Sequence, residues 1–234
     1  MRALRILLTL LTVATTSASV LAQVVGGGFD RGLYDRFVSM RTGDGEPVYW
    51  YSIGTLRAYP SGDTLAIMEG FDTARHARRA DAPDTVYQLS RKTYIFRDPT
   101  TGERITEIDG APVRAIQYPY QMIEYTLEGD RVVTTVEQGR KPNVRRIAPG
   151  NDASARWLGN GVAQYTAPLY LDFPLPGGGR YEAFENYDFF IQPDAVSRES
   201  RYQLSWIRFG ASPPFNAGKP VVMHMVSWRT DSFD

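Results

Sequence analysis

The chain of 234 residues carries 26 Lys and Arg residues against 26 Asp and Glu residues, which gives a formal net charge of zero. A chain without excess positive charge is poorly suited to nucleic acid or to an anionic membrane surface, so neither partner is expected. It contains no cysteine, which excludes a disulfide framework and leaves the hydrophobic core as the source of stability.

Residues 1–22 have the pattern of a secretory signal peptide. Arg2 and Arg5 make a basic start, and residues 6–13 form an apolar run that is too short to span a bilayer. Residues 20–22 then match the small-x-small pattern that precedes signal-peptidase cleavage, and no cysteine is present to carry a lipid. We therefore expect a mature protein that begins at Gln23, lacks a membrane span and is located in the periplasm or secreted. The alternative is a buried N-terminal helix or a membrane anchor.

Residues 23–46 form an N-terminal segment in which one short helix is predicted. Leu33, Phe37 and Met40 recur at helical spacing, and the turn residues at 42–45 end the pattern. Residues 47–234 contain no repeat and no long linker, and all-β domains often reach this length undivided. The sequence therefore predicts a single β domain preceded by at most one short helix.

From residue 47 onward, short runs rich in β-branched and aromatic residues alternate with turn residues, which is typical of strands. We expect an all-β, antiparallel, lipocalin-like barrel of roughly ten strands. An outer-membrane barrel is disfavoured, because Arg91, Glu124 and Arg208 fall on differing faces of the predicted strands.

Two segments are predicted to lie outside the strands. Residues 72–82 are polar and basic, and we expect them to form an exposed loop. Residues 139–159 contain Lys, Arg, Pro and Gly without a period, so a long mobile loop is expected there, which is a candidate lid over the barrel mouth.

The stretch 181–191 places one carboxylate on an otherwise apolar strand face. An isolated charge on a buried face is very costly, so Glu185 must be ion-paired, hydrogen-bonded or protonated. It is either a buried residue that pairs with a core Arg or Tyr, or a polar anchor inside a ligand cavity. With a two-residue period, the face carries Tyr181, Ala183, Glu185, Tyr187, Phe189 and Ile191.

Two further strands combine a polar residue with a tryptophan on one face. Arg208 shares a face with Trp206 and is the nearest strand candidate to pair with Glu185, and His224 shares a face with Trp228. These polar residues form either one buried, paired network or a site. The abundant aromatic residues either fill a large core or line a ligand cavity. The candidate ligand-binding residues are Trp50, Tyr187, Trp206, Arg208 and Trp228.

No metal or cofactor is predicted. His76 and His224 lie far apart in the sequence, without cysteines and without the spacing of a zinc motif. The chain also lacks a nucleophile elbow, a phosphate-binding loop and a dinucleotide fingerprint.

Three functions are compatible with these patterns. The first is an exported β-barrel that binds an apolar or aromatic small molecule. The second is an enzyme that uses Glu185 and His224 as acid and base on such a ligand. The third is a structural module of the cell envelope with a packed barrel. An enclosed void would separate the first two from the third, and proximity of Glu185 to His224 or Arg208 would favour the enzyme.

Four short motifs follow one another as they do in a bacterial protein family. They are residues 54–58 (Gly-Thr-Leu-Arg-Ala), 98–103 (Asp-Pro-Thr-Thr-Gly-Glu), 185–189 (Glu-Asn-Tyr-Asp-Phe) and 205–208 (Ser-Trp-Ile-Arg). In these motifs the chain resembles the domain-of-unknown-function family numbered eighteen thirty-eight, over residues 48–208. That family is Trp-rich after the last motif, whereas residues 212–216 here read Ser-Pro-Pro-Phe-Asn. The family has no agreed activity, so the resemblance implies the fold and boundaries rather than a function.

Overall fold

The computed structural model describes residues 28–78, 80–138, 145–146, 155–159, 161–174, 180–191, 203–211 and 219–230. The predicted signal peptide at residues 1–22 lies outside these ranges. The described residues hold no helix of the length and hydropathy that crossing a bilayer requires.

One helix precedes a series of strands in the described residues. The elements are α1 (Arg31–Thr42), β1 (Val48–Ala58), β2 (Thr64–Arg78), β3 (Thr85–Arg97), β4 (Glu107–Ile108), β5 (Ala111–Pro112), β6 (Ile116–Glu128), β7 (Arg131–Gln138), β8 (Arg145–Arg146), β9 (Ala155–Gly159), β10 (Val162–Pro174), β11 (Arg180–Ile191), β12 (Gln203–Ala211) and β13 (Pro220–Thr230). The predicted short helix is therefore confirmed, and it ends where the turn residues begin.

Eleven strands form one antiparallel sheet in the order β8-β7-β6-β3-β2-β1-β13-β12-β11-β10-β9, and β4 pairs with β5 in a small hairpin. The first and last strands of the chain, β1 and β13, lie side by side near the middle of the sheet. The sheet curls, so that β8 at one edge contacts β10 beside the other edge. This arrangement confirms the predicted all-β, antiparallel, barrel-like fold.

Local chemistry defines both ends of α1. At its start, the Asp30 carboxylate accepts a hydrogen bond from the Leu33 backbone N–H at 2.7 Å, which caps the helix. At its end, the Gly43 N–H donates to the Ser39 carbonyl, and Gly43 has a φ of 74°. This left-handed conformation favours glycine, so the residue terminates the helix at Thr42.

The helix packs against the inner face of the sheet at one end. Phe37 lies at the centre of this packing, with edge-to-face contacts to four aromatic rings at centroid distances of 4.9–6.1 Å. Such rings contribute both buried area and favourable edge-to-face geometry. The four partners of Phe37 are Phe29, Tyr125, Tyr165 and Phe189. We call the whole buried cluster around these five rings the helix-side core.

A second hydrophobic cluster lies at the other end of the inner face, beside the β4-β5 hairpin. It includes Leu56, Phe96, Ile108 and Met225, all nearly inaccessible to solvent. We call it the hairpin-side core. Strand β1 runs from one cluster to the other, since Val48 and Trp50 belong to the helix-side core and Leu56 to the hairpin-side core. The interior thus has one apolar cluster at each end.

Both segments that were predicted as loops need correction. Residues 72–78 continue β2 rather than leaving the sheet, and Asp72 and Ala74 are buried on its inner face. Within residues 139–159, β8 and β9 are strands, and Ala155 belongs to the helix-side core. The rest of that segment lies outside the described residues, so its role as a lid stays a prediction.

His76 of β2 contacts the end of α1, and its imidazole is neutral. The Arg78 Nε–H donates to His76 Nε2 at 2.9 Å, so Nε2 carries no proton. The proton on Nδ1 can then be donated to the Gly43 carbonyl, 3.0 Å away. Partial burial, followed by the charge of Arg78, lowers the pKa of His76 below its ordinary value of 6.5.

We therefore expect part of the stability to be lost as the pH falls below about 6.5. The unfolded chain takes up a proton on His76 at the ordinary pKa, whereas the folded chain does so only at a lower pH. Acidification through this window consequently favours the unfolded state. Urea unfolding of His76→Gln between about pH 7 and pH 5 should show a shallower pH dependence than the wild type. His224→Gln is the control, and parallel profiles for wild type and His76→Gln would contradict the expectation.

Candidate functional site

A layer of polar side chains crosses the inner face of the sheet between the helix-side and hairpin-side cores. Strand pairing brings these residues together, because Ser52 lies opposite Ser227 and Asp72 lies opposite Lys92. The Ser52 and Ser227 hydroxyls are hydrogen-bonded at 2.6 Å. We call this group the polar layer, and it consists of Ser52, Asp72, Ser90, Lys92, Gln121, Glu185, Arg208 and Ser227.

The polar layer borders a partly open cavity of about 130 Å³. The cavity is lined by residues of α1 and of nine strands from β1 to β13, so it occupies the concave interior of the sheet. Its volume is close to that of an engineered cavity of about 150 Å³ that binds benzene, and is well below the roughly 300–1,000 Å³ of sites for drug-sized ligands. A ligand of this cavity would therefore be about the size of one aromatic ring.

One cluster of charges in the site joins the helix to the sheet. The Arg41 Nη2 donates to Asp72 Oδ2 at 2.7 Å, and the Lys92 Nζ lies 3.5 Å from the same oxygen. Arg41 and Asp72 are 5% and 3% exposed, so this ion pair is screened little by solvent. Burial lowers the pKa of Lys92, although the Asp72 carboxylate opposes that effect. We call Arg41, Asp72 and Lys92 the charged triad.

A second charged pair lies across β11 and β12. The Arg208 Nε is 3.0 Å from Glu185 Oε1, and the Tyr187 hydroxyl donates to Glu185 Oε2 at 2.6 Å. Burial and the neighbouring Glu185 carboxylate raise the pKa of Tyr187, which keeps the phenol protonated as a donor. One of the two interpretations of Glu185 from the sequence was a buried residue that pairs with a core Arg or Tyr, and both partners are present.

Aromatic rings form the wall beside this pair. The Tyr187 and Trp206 rings stack with centroids 5.9 Å apart and planes 22° apart. Tyr187 also stacks on Phe189, at 6.3 Å and 14°. All three residues line the cavity. Flat, nearly parallel rings of this kind offer a surface on which another planar ring can pack.

Several polar atoms of the site have no hydrogen-bond partner among the described residues. They include the donors Arg41 Nε, Arg41 Nη1 and Trp50 Nε1, the hydroxyls of Thr134 and Tyr165, and the acceptors Asp72 Oδ1 and Gln121 Oε1. Each of these residues lines the cavity. A buried polar atom without a partner costs about 1–3 kcal/mol, so such atoms are usually satisfied by water or by a ligand.

Five of the residues predicted from the sequence line this cavity together: Trp50, Glu185, Tyr187, Trp206 and Arg208. The inward orientation of the four residues in β11 and β12 follows the alternation that the sequence showed there, since Phe189 and Leu204 on the same faces are buried. Their roles as ligand-binding residues stay predictions.

His224 and Trp228 lie on the opposite face of the sheet, and this part of the prediction needs correction. Met223, Met225 and Ser227 of β13 are buried, so the residues between them point outward. His224 is exposed and lies 3.3 Å from the Ser205 hydroxyl. The acid–base pair of Glu185 with His224 is therefore not formed, because the sheet separates the two side chains.

Trp228 packs on the outer surface against Tyr51, with ring centroids 4.9 Å apart. The inner face of β13 could not be identified from the sequence, because both faces are apolar, with Val222 and Val226 outside and Met223 and Met225 inside. A two-residue period separates two faces, but it cannot assign the interior when both are hydrophobic.

The sequence interpretation missed the charged triad. Asp72 continues the inner-face alternation of Ala66 and Met68, and that period was the signal that could have placed it inside. Arg41 follows Phe37 by four residues, so it lies on the same side of the helix as that core residue.

The described residues contain no group of three or more His, Cys, Asp or Glu side chains that could hold a metal ion. No protein-family model, curated protein or solved structure matches the chain. The resemblance to the bacterial family stays a prediction.

Proposed function

We propose that this protein binds a small molecule, no larger than about one aromatic ring, in the cavity between its two hydrophobic cores. The observation that carries the proposal is a void bordered by buried donors without partners, namely those of Arg41 and Trp50. Aromatic walls beside the void supply apolar contact, and a few polar groups can orient the ligand, as in most small-molecule sites.

A purely structural role accounts less well for this interior. A packed polar layer satisfies its own donors and acceptors, as the Ser52–Ser227 and Tyr187–Glu185 hydrogen bonds do. The atoms of Arg41, Trp50 and Gln121 that border the void are not satisfied in this way within the described part of the chain. The enzyme hypothesis loses its support, because His224 lies on the outer face of the sheet.

Native mass spectrometry of the protein purified from its natural host tests this proposal. We expect a non-covalent adduct that is released when the protein is denatured. Ala167 lines the cavity, so Ala167→Leu places an isobutyl group in the void and should abolish the adduct. The change should cost no more than about 1–3 kcal/mol of stability, because space is available for the larger side chain.

Ala77→Leu is the matched control for the cavity-filling variant. Ala77 follows the inward-pointing His76 in β2, so its side chain lies on the outer face. This variant should keep the adduct. An adduct that persists in folded Ala167→Leu, or a wild-type protein that carries none, would contradict the proposal.

We further propose that the protein acts outside the cytoplasm, as the basic and apolar pattern of residues 1–22 suggests. N-terminal sequencing of protein recovered from the periplasm or the medium should return Gln23. Recovery of Met1, or fractionation with the membrane, would contradict export.

A further inference from the structure

We infer that the ligand is a small aromatic carboxylate whose anionic group lies against Arg41, Lys92 and Trp50. This inference rests on the proposed function and specifies the chemical class of the ligand. It follows from the balance of charge in the cavity, from the polarity of the atoms left without partners and from the volume of the void.

The charge balance favours an anion. Three basic side chains line the cavity, Arg41, Lys92 and Arg208, against the two carboxylates of Asp72 and Glu185. Glu185 forms an ion pair with Arg208. The excess positive charge therefore lies in the charged triad, where two cations share a single oxygen of Asp72. A buried excess charge is costly, and a bound anion would offset it.

Three of the unpaired donors belong to Arg41 of the charged triad and to Trp50 beside it. Arg41 Nε, Arg41 Nη1 and Trp50 Nε1 are buried without an acceptor in the described part of the chain. The Arg41 guanidinium lies over the Trp50 ring at 5.1 Å from its centroid, so the donors of the two residues are adjacent. Arg41 is 5% exposed and Trp50 is 1% exposed. Carboxylate oxygens accept charge-assisted hydrogen bonds from such donors.

Aromatic rings that line the cavity favour a planar group in the rest of the ligand. Tyr187 and Trp206 present flat rings, and the volume of about 130 Å³ leaves room for about one ring with its carboxylate. A small inorganic anion would leave these aromatic rings without contact. A single-ring carboxylate would contact both the charged triad and the aromatic rings.

Isothermal titration with three probes of nearly the same planar shape tests the inference: benzoate, benzamide and benzamidinium, with charges of −1, 0 and +1. We expect benzoate to bind at least about tenfold more tightly than benzamide, and benzamidinium to bind most weakly. Benzamide or benzamidinium binding as tightly as benzoate would overturn the inference while leaving a small-molecule site in place. Binding by none of the three would overturn it too, and the native mass spectrum would then decide separately on the proposed function.

Two variants test whether the anionic group of the ligand lies beside Lys92. Lys92→Met leaves the Arg41–Asp72 pair intact and removes the excess charge, so it should weaken benzoate about tenfold and change benzamide by less than about twofold. Lys92→Arg retains the charge and should retain the preference for benzoate. Equal losses for both probes in folded Lys92→Met would overturn the inference. If Lys92→Met does not fold, the relative affinities of the three probes for the wild type and for Lys92→Arg still test the inference.

Discussion

Asp72→Asn is expected to destabilise the protein by about 3–5 kcal/mol, because it leaves two buried cations without their shared counter-charge. Asp72 accepts from Arg41 at 2.7 Å and lies 3.5 Å from the Lys92 ammonium. With Asp72 only 3% exposed, water can replace little of the lost interaction. The amide keeps the size of the side chain, so the effect comes from charge rather than from a cavity. Guanidinium unfolding measures the change.

Asp109→Asn is the matched control for this substitution. Asp109 is exposed at a turn and has a φ of 50°, a conformation that Asn tolerates well. The same chemical change there should alter the free energy of unfolding by no more than about 0.5 kcal/mol. If Asp72→Asn cost less than about 1 kcal/mol, the charged triad would be solvated rather than buried.

Phe37→Ala is expected to cost about 3–5 kcal/mol, as large-to-small changes at buried aromatic residues do. The Phe37 side chain is fully buried and contacts four rings of the helix-side core. Its loss would leave a void between α1 and β6, β10 and β11, so the helix would lose its main attachment to the sheet. The melting temperature and the free energy of unfolding should both fall.

Phe209→Ala removes the same side chain from the outer face, where Phe209 is 39% exposed and, among the described rings, contacts Tyr59 edge-to-face. Less surface is lost there and no void forms, so the cost should be less than half of that for Phe37→Ala. Equal costs for the two variants would contradict the view that α1 is part of the core.

The alternation in single strands predicted much of the candidate site. In β11 and β12, one face is apolar except for Glu185 and Arg208, and the other is mixed, so the inward orientation could be inferred correctly. In β13 both faces are apolar, and His224 was assigned to the interior although it is exposed. The difference between these strands is the polarity of their outer faces.

The sequence pattern could not predict an ion pair between residues that lie far apart in the chain. Asp72 precedes the polar residues Arg75, His76 and Arg78, which favoured a loop. Asp72 is accommodated inside the sheet because Arg41, 31 residues earlier in α1, supplies a buried counter-charge. The position of a short helix on a curled sheet depends on the tertiary packing of aromatic side chains such as Phe37. Local periodicity does not encode this packing.

A crystal structure of the protein purified from its natural host would test the central claim most directly. A ligand-binding cavity predicts electron density for a planar, non-protein molecule between Trp50 and Tyr187, with an acceptor atom within hydrogen-bond distance of Arg41. The contradictory result would be a void filled by rearranged side chains, or ordered waters that satisfy every buried donor of Arg41 and Trp50.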